Sequence, residues 1–130
     1  MTWYVDTSAF VKLIREEQET EAFRMWLAAK EVCSSDLLRT EARQALGNEA
    51  SAARLLLEGL LRRTVLIRLT PDLFDIAGDL RTNAPLRSLD ALHLAAAGRL
   101  GRDLEGIATY DRRMAAAATE LGYGVAAPSP

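Results

Sequence analysis

Apolar residues follow two alternating patterns along this chain, short β-prone runs and longer stripes at helical spacing. Apolar positions three and four residues apart predict helices between the short runs. The runs predict four strands and a short fifth one, at 2–5, 32–33, 64–69, 107–109 and 123–125. Strands that alternate with helices indicate an α/β fold with a mostly parallel sheet of four to five strands, covered on both faces.

Polar residues at the ends of these runs predict where helices begin. Thr7-Ser8 and Ser34-Ser35 are predicted caps, and the second pair opens a helix over about 36–46. The sequence Thr70-Pro71-Asp72 predicts a helix start, because proline fits the first helical turn and aspartate complements the helix dipole. That helix is predicted to run to about Thr82, and Ser88 to cap another that runs through Leu100.

Length and composition indicate one globular domain. The 130 residues are 49% hydrophobic and 26% charged, which argues against disordered and membrane classes. We predict a single domain over 1–126, a flexible tail over 127–130 and no membrane association. Cys33 is the single cysteine, so the chain cannot form an internal disulfide, and a reducing cytoplasm is the expected location.

Net charge gives no general attraction to nucleic acid. The formal charge is −2, so a nucleic-acid function would need local basic patches or bound metal ions.

Four carboxylates stand where acids are less common. Asp6 ends the first strand and Asp111 follows the fourth, at the edge where parallel sheets bind ligands. Asp90 falls in the first turn of its helix, and Glu41 lies on the predicted inward stripe of its helix. Helix capping could explain the aspartates, and an ion pair with an arginine could explain the glutamate.

If the strands share one carboxyl edge, these four acids converge. Clustered carboxylates repel one another unless a divalent cation neutralises them. Carboxylate oxygens select Mg²⁺ or Mn²⁺ over zinc. Ions held in this way can activate water and neutralise a phosphate that is under attack.

Four segments together resemble a known family. They are Val5–Ala9, Ser34–Glu41, Ser88–Ala95 and Ala108–Arg113. In order and spacing they resemble PIN-domain ribonucleases, and in particular the VapC toxins of bacterial toxin–antitoxin pairs. The resemblance spans nearly the whole chain and implies a three-layer α/β/α fold with an acidic pocket for one or two Mg²⁺ or Mn²⁺ ions.

The resemblance also assigns roles to the acids. Asp6 and Asp90 would be the principal metal ligands. Glu41 would be a ligand or would orient the attacking water, and Asp111 would be a ligand directly or through water. No acidic position of the family pattern is replaced in this chain.

Five further residues are candidates around the acids. Ser8 and Thr109 fall on hydroxyl positions that the family uses to organise its pocket. Arg112 and Arg113 could contact RNA phosphates or could simply be solvated. His93, the single histidine, lies on an apolar helical stripe. It could be a buried structural histidine, or it could support the acidic site from behind.

The family resemblance implies partners as well. The expected substrate is RNA, such as tRNA or another structured RNA. A VapB-like antitoxin would neutralise the protein and would link it indirectly to operator DNA, and a homodimer is expected. The alternative is a catalytically weak PIN-like binding module that acts mainly through complex formation.

Overall fold

A five-stranded, wholly parallel sheet forms the centre of the protein. The computed structural model describes residues 1–130. The strands lie in the order β3-β2-β1-β4-β5, and every neighbouring pair is parallel. Their bounds are β1 (Thr2–Val5), β2 (Glu31–Ser35), β3 (Val65–Ile67), β4 (Leu104–Ala108) and β5 (Val125–Ala126). The predicted α/β class and strand number are confirmed.

Seven α-helices connect the strands. They are α1 (Thr7–Phe10), α2 (Thr20–Leu27), α3 (Leu37–Leu46), α4 (Ser51–Arg63), α5 (Pro71–Asp79), α6 (Ser88–Gly98) and α7 (Arg112–Glu120). Short 3₁₀ turns continue α1 and precede β4. None of these helices combines the length and the apolar character that a membrane span requires.

Alternate residues of the strands point to opposite faces of the sheet and build two separate cores. Val5 and Ala108 pack against α1 to α4, whereas Tyr4 and Ile107 pack against α6 and α7. A third apolar cluster joins α5 to α6 and includes the buried Leu73. Because a strand alternates its side chains with a period of two, both faces need helical cover. The result is the three-layer α/β/α arrangement.

Of the four predicted caps Thr7, Ser8, Ser34 and Ser35, only Ser35 bonds a helix start. The side chain that caps α1 belongs to Asp6, whose Oδ1 accepts a hydrogen bond from the Ala9 amide at 3.1 Å. Pairing with β3 extends β2 through Ser34 and Ser35, and Ser34 caps no helix. The Ser35 hydroxyl does accept from the amide of Leu37, the first residue of α3, at 3.3 Å. The Ser34 hydroxyl instead donates to the Val5 carbonyl at 2.6 Å. These serines are completely buried, which their polarity alone did not indicate.

Two helices are shorter than predicted. Helix α5 ends at Asp79 rather than near Thr82, because the backbone turns extended at Leu80. The Arg81 guanidinium then satisfies two of the carbonyls left at that end. Helix α6 ends at Gly98 rather than Leu100.

The flexible tail stays a prediction. The Tyr110 hydroxyl donates to the Pro128 carbonyl at 2.6 Å.

Gly106 in β4 is expected to tolerate no side chain. A Cβ there would lie 2.5 Å from the Trp3 ring and 2.8 Å from the Gly124 carbonyl oxygen. Overpacking of this kind typically costs about 1–3 kcal/mol, so Gly106→Ala should lower the free energy of unfolding by that amount in urea titrations. Gly78→Ala is the control, because nothing lies near its Cβ position and alanine favours a helix. Equal stability of the two variants would contradict this expectation.

Candidate active site

The candidate acids gather at the carboxyl edge of the sheet. Asp6 directly follows β1 and Asp111 lies shortly after β4, and these two strands are paired with Val5 beside Ala108. Helices α3 and α6, which carry Glu41 and Asp90, both contact β2. The sheet topology therefore supplies the shared edge that the sequence pattern required.

Asp6 is the most buried of the four acids, with 3% of its surface exposed. Its Oδ1 accepts from the Ser8 hydroxyl at 2.7 Å, and its Oδ2 accepts from the Thr109 hydroxyl at 2.5 Å. Burial raises the pKa of this carboxyl, and the two hydroxyl bonds offset only part of that rise. A bound cation would therefore stabilise the charged form of Asp6.

The two hydroxyl side chains also tie together the segments that follow β1 and β4. Ser8 Oγ accepts from the Tyr110 amide at 2.9 Å, and Thr109 Oγ1 accepts from the Asp111 amide at 3.1 Å. The hydroxyl oxygens of Ser8 and Thr109 lie 3.2 Å apart. These bonds link Asp6 to the segment that carries Asp111. The role of Ser8 and Thr109 in organising a pocket stays a prediction.

Arg87 joins Asp90 to Asp111 and was not predicted. Its Nε donates to Asp90 Oδ2 at 3.1 Å, and its Nη2 donates to Asp111 Oδ2 at 3.0 Å. The side chain of Asp90 is only 8% exposed, so this guanidinium compensates a nearly buried charge. Spacing contained part of the signal, because Arg87 precedes Asp90 by three residues, a helical neighbour distance.

Glu41 pairs with a histidine rather than with an arginine. Its Oε1 accepts from His93 Nε2 at 2.6 Å and from the Thr7 hydroxyl at 2.7 Å. Burial disfavours the charged form, but the bonds from His93 and Thr7, together with the electrostatic influence of His93 and Arg87, outweigh burial and lower the pKa of this carboxyl. The arginine ion pair considered from the sequence is not formed, although Glu41 does lie on the inward side of α3.

His93 lies behind Glu41 and is itself almost fully buried, at 4% exposure. Its Nδ1 lies 2.7 Å from the Tyr4 hydroxyl, which donates to Ser35 Oγ at 2.8 Å. The ring of the Tyr4 side chain is buried in the core. Its hydroxyl group, however, belongs to a polar chain that leads to the site.

The donor atoms suit an oxygen-preferring divalent cation. Carboxylate oxygens are what Mg²⁺ and Mn²⁺ prefer, and Arg87 already places positive charge between Asp90 and Asp111. As the side chains stand, no group of three or more histidine, cysteine, aspartate or glutamate residues is close enough to hold a metal. Asp90 and Asp111 could serve one cation together only after Arg87 releases them. Metal ligation by the four acids stays a prediction.

Two exposed arginines flank the acids. Arg112 and Arg113 open α7 immediately after Asp111, and both are exposed. The Arg113 amide donates to Asp111 Oδ1 at 2.9 Å, so this acid also caps the helix. A contact between these arginines and RNA stays a prediction.

Comparison with known proteins identifies the family. A PIN domain is matched over residues 3–120. Ribonuclease VapC46 of Mycobacterium tuberculosis is 43% identical over 127 residues, which cover 97% of each chain. Ribonucleases VapC47 and VapC35 of the same species are 37% and 38% identical, each with 96% of both chains covered. This chain belongs to the PIN-domain family and is a VapC-type member of it.

Proposed function

We propose that this protein is a Mg²⁺- or Mn²⁺-dependent endoribonuclease toxin that a VapB-like antitoxin neutralises. The observation that carries the proposal is made at the carboxyl edge of the sheet. There the Arg87 guanidinium forms ion pairs with both Asp90 and Asp111, and the buried Asp6 follows β1. The VapC relatives are named ribonucleases, and their similarity covers almost the entire chain. Fold, acids and relatives thus support the same activity.

We assign each of the four acids a role according to its position. Asp6 and Asp90 would be the principal ligands, since both are buried carboxylates at the sheet edge. Asp111 would bind directly or through water, and Glu41 would bind or would orient the attacking water. A bound divalent cation supplies Lewis acidity, which activates water and neutralises charge on the scissile phosphate.

RNA binding would use the exposed arginines beside the acids. Arg112 and Arg113 offer planar guanidinium groups that suit bidentate phosphate contacts. Such contacts are local and therefore compatible with a net charge of −2. A structured RNA such as tRNA is the proposed substrate.

Exposed apolar side chains support the proposed partners. Leu55 and Leu56 on α4 and Phe74, Ile76 and Leu89 on α5 and α6 are between 40% and 72% exposed. Contiguous apolar patches on a protein surface mark contacts with other proteins. We assign these exposed side chains to a homodimer and to the antitoxin, through which operator DNA would be reached indirectly. The free, buried Cys33 is consistent with a cytoplasmic location.

The decisive experiment compares metal-loaded and metal-free protein on RNA. Purified wild-type protein should cleave RNA with Mg²⁺ or Mn²⁺ and should stop when EDTA is added. Asp90→Asn should abolish cleavage while the protein stays folded by circular dichroism. Asp75→Asn is the matched control, because Asp75 is an exposed acid on α5 that pairs with none of the residues named above, and it should keep full activity.

A contrary result has a clear meaning. Nuclease-free wild-type protein that binds no Mn²⁺ and cuts no RNA would overturn the proposal. It would favour the alternative, a catalytically weak binding module.

A further inference from the structure

A buried chain of polar side chains leads from the sheet to Glu41. It runs from Ser35 through Tyr4 and His93 to Glu41 and Thr7, with consecutive contacts of 2.8, 2.7, 2.6 and 2.7 Å. Three of its members, Ser35, Tyr4 and His93, are buried between the sheet and α6. The reaction proposed above requires Glu41 but gives the residues behind it no role.

The contacts on Glu41 are one-sided. His93 and Thr7 both bind its Oε1, and Oε2 makes no hydrogen bond within the protein. The carboxylate is therefore held by one oxygen, and the other oxygen is left free. That division is expected of a carboxylate whose orientation is fixed from behind, so that its second oxygen can act on water or a cation.

The proton on the imidazole can be placed on chemical grounds. An ionised carboxylate only accepts hydrogen bonds, so the close contact to Glu41 requires a proton on His93 Nε2. The requirement holds whether the Tyr4 hydroxyl donates to Ser35 or to Nδ1. Because both ring nitrogens are occupied and the Tyr4 ring packs edge-on at 5.7 Å between ring centroids, the imidazole cannot turn freely.

We propose that His93, fixed by Tyr4, is a positioning residue that orients Glu41 through an Nε2–H···Oε1 hydrogen bond. This inference rests on the proposed function, because Glu41 matters for rate only if the protein cleaves RNA. His93 itself touches neither substrate nor cation. Removal of a partner that orients a site carboxylate or histidine typically lowers activity or metal affinity by about 10- to 100-fold.

Two conservative variants separate positioning from mere packing. The amide nitrogen of Gln can replace Nε2 and reach Glu41, whereas that of Asn replaces Nδ1 and reaches only Tyr4. We expect His93→Asn to lower kcat for RNA cleavage at least about tenfold with little change in KM. His93→Gln should recover most of the lost kcat. Equal losses in both variants would overturn the proposal.

A double-mutant cycle tests whether the effect passes through Glu41. In a Glu41→Ala background, His93→Asn should cause no further fall in kcat, because the residue that it positions is gone. If the two substitutions multiply their effects, His93 acts independently of Glu41 and the proposal is wrong.

Nitrogen NMR tests the same proposal without any measurement of RNA cleavage. His93 is the single histidine, so long-range ¹H–¹⁵N spectra contain one imidazole. The spectrum should show a protonated Nε2, and Glu41→Ala should shift its resonance. A wild-type imidazole with its only proton on Nδ1 would overturn the proposal, whereas wild-type protein that cleaves no RNA would overturn only the proposed function.

Discussion

An Asp6→Asn protein is expected to lose metal-dependent RNA cleavage by at least about 1000-fold, which corresponds to about 4 kcal/mol of barrier. Asparagine keeps the size of the side chain and one acceptor oxygen, but it removes the negative charge at the centre of the sheet edge. Initial rates of RNA cleavage at saturating Mn²⁺ measure the loss. Asp75→Asn should cleave at the wild-type rate.

The same variant should show that Asp6 is kept for function rather than for stability. Because burial raises the pKa of Asp6, the stability that its protonated form provides is present below the unfolded pKa and is lost as pH rises through the folded pKa. The charged form is therefore unfavourable at pH 7 without metal. Asp6→Asn should unfold in EDTA at a temperature no lower than wild type. A large fall would mean that Asp6 serves mainly as a structural cap for α1.

The second large effect is expected at Arg87. Arg87→Met should raise the affinity for Mn²⁺ by about 10- to 100-fold, because the guanidinium competes with the cation for Asp90 and Asp111. A unit charge at about 4 Å contributes about 4 kcal/mol near a protein surface, so even a partial loss of this competition is measurable. Calorimetric titration of metal-free protein with Mn²⁺ gives the affinity. Arg102→Met is the control, because Arg102 is exposed and contacts neither acid.

Stability without metal should move in the opposite direction. Removal of Arg87 leaves the nearly buried Asp90 without the guanidinium that compensates its charge. Arg87→Met should therefore unfold at a lower temperature than wild type in EDTA. Saturating Mn²⁺ should restore the unfolding temperature. Unchanged Mn²⁺ affinity would show that metal binds without displacing Arg87.

Local pattern predicted most of the fold because its elements are set by neighbouring residues. The five strands appear near their expected positions. The acid-bearing helices α3 and α6 begin within two residues of their predicted starts. The errors in the predicted caps concern positions where a polar residue could satisfy its hydrogen bonds in two ways. Ser34 looks like a cap, but pairing with β3 places it in the sheet, where its hydroxyl donates to the Val5 carbonyl.

The candidate site shows the same division. Sequence pattern pointed to Asp6, Glu41, Asp90 and Asp111 as acids in unusual places. It did not give the partners that lie far away along the chain. Glu41 and His93 are 52 positions apart, and Arg87 and Asp111 are 24 apart.

Periodicity and motif spacing therefore sufficed to predict the α/β class, the family resemblance and the four candidate acids, because both are short-range properties of the chain. The donors that each acid receives depend on the tertiary fold. It gave Asp6 two hydroxyls, gave Asp90 and Asp111 one shared arginine, and gave Glu41 a buried histidine. The physical reason is that hydrogen bonds act over about 3 Å in space, and the packing of helices on the parallel sheet sets which distant residues come that close.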